Sequence, residues 1–364
     1  MQRNPETSEF DINAETKSKI TSQIVWPLID WFADNARSLP WRDKPEPYYV
    51  WISEIMLQQT RVEAVKGYFE RFIKELPDIA ALASVEEERL LKLWEGLGYY
   101  SRAKNLKKAA AIVMEKYSGK LPKDSVELRK LPGIGAYTAG AISSIAYNKI
   151  AAAVDGNVLR VIMRLWGSFE DITKETVKKS IGTELEKVMP AQYPGAFNQS
   201  LMELGATVCL PNGKPLCEEC PVVKWCTAYK NNIQLMLPVK PPKKPRKMEE
   251  KTILVVDTPQ GILIRKRPET GLLASLWEYP ALDGKLDSDE VQKQILSTGL
   301  IAEEIQPLGD AKHLFSHIEW HMTGYYIKTA VNMNSCRAVA EEDTSSISFL
   351  SGCFPAAPKK LLEE

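Results

Sequence analysis

The sequence has 364 residues, 44% of them hydrophobic and 26% charged, a composition that excludes a fibrous or mostly disordered chain and suits about two globular domains. The 47 basic and 47 acidic residues cancel, yet residues 101–150 hold ten basic and three acidic residues while residues 301–364 hold five basic and nine acidic. A basic block inside a neutral chain points to one local anionic partner rather than a generally adhesive surface.

The chain opens on a polar tail, residues 1–22, with no apolar run that reads as a signal peptide. From 23 to 237 the pattern is helical. Glu54 lies in WISEIMLQQT, where a helix sets Val50, Trp51 and Leu57 around it. That surround partly desolvates the carboxyl and raises its pKa. Gln58, Gln59 and Thr60 end the same helix. Ser84 with Glu87 reads as a capping box for EEERLLKLWEGLG. Tyr99 and Tyr100 follow Gly96 and Gly98 in EGLGYYSRAKNLKK, which suits either a tyrosine wedge for a base stack or a core aromatic pair. Asp124 with Glu127 caps a short helix ending before LPGIG.

LPGIGAYTAGAI, residues 131–142, places Gly133 and Gly135 around Ile134 directly before a helix start. Outward N–H groups there suit a phosphate, and Lys120, Lys123, Arg129 and Lys130 upstream favour that reading over a plain helix C-cap. The uncharged stretch Leu131–Asn148 approaches membrane-spanning length, but Pro132, Gly133, Gly135 and Gly140 break it. Gly119, Gly167 and Gly205 fall where helices stop or pack closely. Asp155, in AAAVDGNVLRVIMRLWG, precedes a helical pattern, so as N-cap it is held anionic by backbone N–H groups. Singly, Glu54 reads as a helix-surface acid and Asp155 as a simple cap. As a pair they form one proton donor and one fixed charge, the division that cleavage of a glycosidic bond requires.

Cys209-x7-Cys217-x2-Cys220-x5-Cys226 brings four thiols within one short segment. An iron–sulfur cluster or a structural zinc fits them better than four unrelated buried cysteines, and either uses only protein ligands. Cys336 and Cys353 are isolated and read as ordinary thiols. The stretch PVKPPKKPRK, opening a linker at 238–250, is too rich in proline and charge to hold a regular helix. Residues 251–352 change pattern: KTILVVDT and GILIRKRP are strands joined by Pro-Gln-Gly, LWEYP is a third, DSDEVQKQILSTG is an amphipathic helix, and HIEWHMTGYYIKT is a hairpin turning at Gly324. His313, His317 and His321 are the only histidines. Their four-residue spacing suits a metal only on a helix, and the pattern there is loop then strand. Residues 353–364 form a tail. The organisation is therefore an all-α domain, a basic tether and a smaller α+β domain, expected to be soluble, cytoplasmic and monomeric, without a membrane partner.

LPGIGAYTAGAI followed by VDGNVLRV resembles the helix–hairpin–helix DNA glycosylase superfamily, and the cysteine run is similar to that of its endonuclease III branch. WISEIMLQQTRV, GLGYYSRA and FNQSLMELGATVC resemble the MutY-type adenine DNA glycosylases, with similarity resuming at HLFSH, residues 313–317. The resemblance implies a DNA-associated bacterial repair enzyme that hydrolyses the N-glycosidic bond of adenine mispaired with 8-oxoguanine or guanine in double-stranded DNA. It implies a [4Fe–4S] cluster on Cys209, Cys217, Cys220 and Cys226. Position by position, Glu54 protonates adenine N7, Asp155 stabilises the sugar cation, and Tyr137 and Asn157 support them. Arg42 and Gln199 line the adenine pocket. Gln59, Thr60, Leu97 and Tyr99 enter the duplex near the 8-oxoguanine, and Phe315, Ser316 and His317 read that base. The first two cysteines are separated by one residue more than is usual in the family, an insertion that the loop LPNGKPL absorbs. The C-terminal domain is similar to Nudix hydrolase folds but lacks their catalytic box: five residues after Gly271 lead to Trp277 where a glutamate is required. It reads as a recognition module. Two alternatives are an endonuclease III-like pyrimidine glycosylase and strand-cleaving lyase, whose hairpin lysine is replaced here by Tyr137, and a non-catalytic iron–sulfur protein that binds damaged DNA.

Overall fold

The computed structural model describes residues 12–242, 244–330 and the backbone of 337–339. Cys336, Cys353 and the C-terminal tail lie outside the described residues. The chain forms two compact units, one of residues 1–85 with 102–242 and one of 86–101 with 243–364, so the chain passes between them after residues 85 and 101 and again inside the Pro/Lys-rich linker. No described helix is long and apolar enough to cross a membrane.

The first unit is helical. Its central helix, Gly156–Trp166, is apolar along most of its length and packs through Val158, Ile162 and Leu165 against Leu28, Ile181, Phe197 and Leu201. Asp155 is its N-cap, and Gly167, in the left-handed region, is its C-cap. The helix Pro194–Thr207 lies close alongside because Gly205 has no side chain: a Cβ there would sit 2.5 Å from that of Asn157. The short helix Ser125–Leu128 starts on Asp124, whose Oδ1 accepts from Val126 N at 2.8 Å and Glu127 N at 3.2 Å. The turn that follows takes Gly133 to φ +78°, with a would-be Cβ 2.8 Å from Asn105 Cβ, and the helix Ala136–Ala141 begins after Gly135. The predicted turn-then-helix is thus present at LPGIG.

Two local expectations fail in the helical segments. Ser84 does not cap the next helix. Its hydroxyl donates back to Ala80 O and Ala81 O at the end of Ile79–Ser84, and the next helix, Glu87–Leu93, starts on Glu86 without a side-chain cap. The Glu54 helix runs Pro47–Met56. It stops short of Gln58–Thr60, which form a turn with Gln59 at φ +61°.

The second unit holds a mixed sheet in the order β3-β2-β1-β6-β5. Its strands are β1 (Lys247–Thr258), β2 (Gly261–Lys266), β3 (Trp277–Glu278), β4 (Ala281–Asp283), β5 (Ala302–Leu314), β6 (Ile318–Thr329) and β7 (Arg337–Val339). β4 pairs with β1 and β7 with β2. β1 and β6 run parallel, and the other pairs are antiparallel. The helix Ser288–Ser297, with an Asp287–Glu290 capping box, covers a core of Leu254, Val256, Leu263, Tyr325 and Ile327 through Val291 and Ile295. HIEWHMTGYYIKT is one strand, β6, rather than a hairpin, and Gly324 sits within it opposite Ile253 and Gly309. The reversal falls earlier, at Phe315–His317, where Phe315 N donates to Ile318 O at 2.9 Å. A single glycine in a run with strand periodicity marked a close cross-strand contact, not a turn. His313 faces Trp320 across the β5–β6 ladder and His321 faces Lys312, so the three histidines share no helical face.

Candidate active site

One cavity of about 1100 Å³ opens into the first unit, large enough for a nucleobase. Glu54, Asp155, Tyr137, Asn157, Arg42 and Gln199 all border it, as do Gln59, Thr60 and Gly135. Helix ends and helix faces from five separate segments therefore converge on one hollow.

Glu54 is buried. Loss of solvent pushes its pKa from 4.5 up to about 7; Asp155 adds to the rise, while a hydrogen bond from the Tyr137 hydroxyl and the Arg42 charge oppose it. The hydroxyl of Tyr137 donates to Glu54 Oε2 in a short contact, and burial holds the phenol firmly protonated. A carboxyl with a pKa near neutrality is half-protonated at the pH where it must act, the condition for an effective general acid.

Asp155 sits at the start of its helix. Oδ1 accepts from Val158 N at 2.7 Å and Oδ2 from Asn157 Nδ2 at 2.7 Å. The expected N-cap is present, and burial works against its hydrogen bonds. Burial raises the Asp155 pKa more than the cap bond, Asn157 and Arg160 lower it. The cap holds the carboxylate in place, and its charge lies in a poorly solvated wall. Asn157 is itself oriented: Arg160 Nη2 donates to its Oδ1 at 2.9 Å and to Gly205 O at 2.6 Å, which turns the Asn157 amide N–H toward Asp155.

The sequence reading missed a charge triad around a buried glutamate on the cavity wall. Glu203, 1% exposed, accepts from Arg37 Nε at 2.6 Å and from Arg42 Nη2 at 2.8 Å. Burial pushes the Glu203 carboxyl up, but the Arg37 and Arg42 hydrogen bonds outweigh it and hold the pKa at about 2. Arg42 is thus anchored by one nitrogen to Glu203 and by the other to Arg37 O at 3.0 Å. The only signal in the sequence is that Glu203 follows Gln199 by one helical turn in FNQSLMELG. Its partners lie more than 160 residues away.

The four cysteines line a second, small apolar cavity. Burial first, and then the neighbouring sulfurs, push Cys220 up to about 12 and Cys226 up to about 11. Arg164 Nη1 donates to Cys209 Sγ at 3.2 Å and to Leu210 O at 2.9 Å, and Arg160 Nε donates to Cys209 O at 2.8 Å. Among the described residues, no three Cys, His, Asp or Glu side chains stand in metal-coordinating geometry. Four crowded, half-buried thiols beside a donating guanidinium do fit a positively charged iron core, which would relieve the mutual repulsion of their thiolates.

In the second unit the Phe315–His317 turn is tightly held. Arg246 Nε donates to Phe315 O at 2.9 Å, Lys247 N donates to His317 O at 3.0 Å, and the Phe315 ring packs on Trp320 with centroids 5.0 Å apart. Ser316 and His317 are exposed at its tip. Ser316 Oγ is 2.7 Å from the hydroxyl of Tyr99, a residue 45% exposed at φ +48°. Leu97, by contrast, is buried. Gly133 sets the hairpin turn without bordering the cavity.

Residues 52–187 match the HhH-GPD superfamily of base excision DNA repair proteins, and residues 252–364 match the NUDIX domain. The chain is 36% identical to the adenine DNA glycosylase of Mus musculus over 350 residues, spanning 80% of this chain and 68% of the relative. It is 35% identical to the adenine DNA glycosylase of Buchnera aphidicola subsp. Schizaphis graminum, spanning 83% of this chain and 86% of the relative. The fold is similar to that of a trapped endonuclease III–DNA covalent intermediate, with a TM-score of 0.51 and 27% identity over 60% of this chain and 98% of that one.

Proposed function

Since the chain belongs to the adenine DNA glycosylases of the HhH-GPD base excision repair superfamily, we propose that it hydrolyses the N-glycosidic bond of adenine mispaired with 8-oxoguanine or guanine in double-stranded DNA. The observation that carries this reading is the pair of carboxyls that border one cavity, Glu54 buried and raised to about 7, and Asp155 part-buried and held by Val158 and Asn157. The adenine leaves the base stack, which costs a few kcal/mol and least in a mispair. Glu54 then delivers its proton to adenine N7. The C1′–N9 bond breaks with its electron pair moving to the base, and the sugar becomes an oxocarbenium ion. Asp155, fixed by Val158 and Asn157, stabilises that cation until water adds at C1′ and passes a proton to the Glu54 carboxylate, which restores the acid. Tyr137 holds Glu54, and Arg42 and Gln199 form the wall the base meets. Gln59, Thr60 and Tyr99 belong to the segments that fill the duplex, and Leu97, buried behind Tyr99 in the chain, supports its segment from within.

A strand-cleaving lyase needs an amine that forms a Schiff base, and the hairpin presents the Tyr137 hydroxyl. Product analysis on an adenine:8-oxoguanine duplex tests the reading. Base loss with strand breakage only after alkali supports it, and breakage without alkali refutes it.

The base opposite adenine falls to the second unit. 8-Oxoguanine carries a proton on N7, whereas guanine N7 is an acceptor, so the Ser316 hydroxyl can take a bond from the first and not from the second in the same pose. Such a bond contributes about 0.5–1.5 kcal/mol net, more where a buried group would be left unpaired. Ser316→Ala combined with His317→Ala should therefore narrow the preference for 8-oxoguanine over guanine by about tenfold, and ending the chain near Lys240 should have a similar effect. Equal preference in wild type and variants would assign the turn another purpose.

Cys209, Cys217, Cys220 and Cys226 are proposed to hold a [4Fe–4S] cluster with a structural role. Purified protein should be brown, with about four irons per chain. Stoichiometric zinc without colour would overturn this.

A further inference from the structure

Arg102 does not border the cavity, yet it holds the helix that carries the proton donor. It is buried, and its Nη1 donates to Ile55 O at 2.7 Å, Met56 O at 3.0 Å and Gln58 O at 2.8 Å. The last carbonyls of a helix have no partners within it. Continued helix would bond Ile55 O to Gln59 N and Met56 O to Thr60 N. Instead Gln59 turns left-handed at φ +61°, and Thr60 N bonds Leu57 O at 3.3 Å. One guanidinium thus replaces the missing helical turn and places a cation at the negative end of the helix dipole.

The position of this anchor matters for two reasons. Ile55, the first carbonyl held, follows Glu54 directly in the chain. Gln58, the last, opens the turn whose Gln59 and Thr60 border the same cavity. Arg102 itself begins the helix Ser101–Lys116, three residues after Tyr99 in the sequence.

We infer that Arg102 is a positioning residue. It fixes the Glu54 carboxyl against the extruded base and fixes the Gln58–Thr60 turn to the start of the Ser101–Lys116 helix, so proton delivery and base extrusion share one anchor. The inference rests on the adenine-excision reading above. A group misplaced by about 1 Å at a reacting centre can cost on the order of 100-fold in rate, whereas duplex affinity comes mainly from phosphate contacts.

The test uses the full chain, counts active molecules by active-site titration, and measures single-turnover excision alongside affinity for a duplex carrying a non-cleavable adenine nucleotide. Arg102→Leu keeps the buried stem and removes the donors. Its excision rate per active molecule should fall about 30- to 100-fold, with a clearly smaller loss of affinity. Arg102→Lys, which keeps a charge and donors on one nitrogen, should recover at least about a tenth of the wild-type rate. Added methylguanidinium should also speed Arg102→Ala, with urea as the inactive control. Wild-type excision by the active molecules of Arg102→Leu, or equal rates for the Leu and Lys variants, would overturn the inference. If Arg102→Leu does not fold, the guanidinium arm decides: no acceleration of Arg102→Ala overturns it. A wild-type protein that excises adenine from neither mispair would instead refute the functional reading.

Discussion

Asp155→Asn should abolish adenine excision while leaving mispair binding within a few-fold of wild type. Asp155 acts on a positive charge that exists only near the transition state, so its removal affects the chemical step and not association. Removing one preorganised electrostatic partner typically costs about 10²–10³ in rate, and the buried site strengthens the interaction further. The substitution keeps the fold for a specific reason: asparagine is as good an N-cap as aspartate, so Val158 N retains an acceptor. The second oxygen is the difficulty. Oδ2 accepts from Asn157 Nδ2, and Arg160 holds the other end of that amide, so two N–H groups would face each other in the variant. That mismatch should cost on the order of 1 kcal/mol of stability, too little to unfold the protein. Single-turnover excision and affinity measured on the same preparation decide the matter, and an Asp155→Asn variant that excises at the wild-type rate removes the carboxylate from the mechanism.

Much of this site was legible because its chemistry is local in the chain. Asp155 announces itself by standing before GNVLRVIMRLW, and Gly133 by the turn that Leu131–Ile134 must make. The cysteines lie within one short segment and meet around one cavity. Glu54 was found from its apolar helical neighbours, and the structure adds that burial is the largest cause of its raised pKa. The same effect works against the cap at Asp155. A helix start supplies hydrogen bonds, which the sequence displays, but the loss of solvent depends on helices that pack over it from far along the chain.

Glu203 and Arg102 were missed for a related reason. Each is paired with groups about 45 to 166 residues away, and neither leaves a periodic or spacing signal. In the second unit, strand periodicity found parts of β1, β2 and β3 but not β5, and it divided β6 into a hairpin. Gly324 looked like a turn because nothing in the sequence says that β1 runs parallel to β6 on one side while β5 pairs on the other.

Glu54→Gln should produce the largest change in how excision depends on pH. The mechanism needs Glu54 protonated and Asp155 ionised, so the wild-type rate should follow a bell. Its alkaline limb should lie near the Glu54 pKa of about 7, and its acid limb above the ordinary aspartate value, because burial raises Asp155. Glutamine keeps the size and polarity of the side chain but has no acidic proton. Adenine excision should fall by about 10²–10⁴, and the residual rate should lose its alkaline limb. An analogue whose leaving group needs no N7 proton should be spared, and equal impairment of both substrates would remove Glu54 as the acid. Stability should move in the opposite direction. A carboxyl whose pKa is 4.5 unfolded and about 7 folded binds its proton more tightly in the native state. Its stabilising contribution is complete below pH 4.5 and disappears as pH rises through about 7, where burying the charged form costs roughly 3 kcal/mol relative to the protonated one. Glu54→Gln cannot ionise, so relative to wild type it should gain stability between pH 4.5 and about 7 and level off above that. A denaturant series across that range reads this directly: parallel wild-type and variant curves would show that Glu54 does not carry a raised pKa, and the assignment of the proton donor would fail with it.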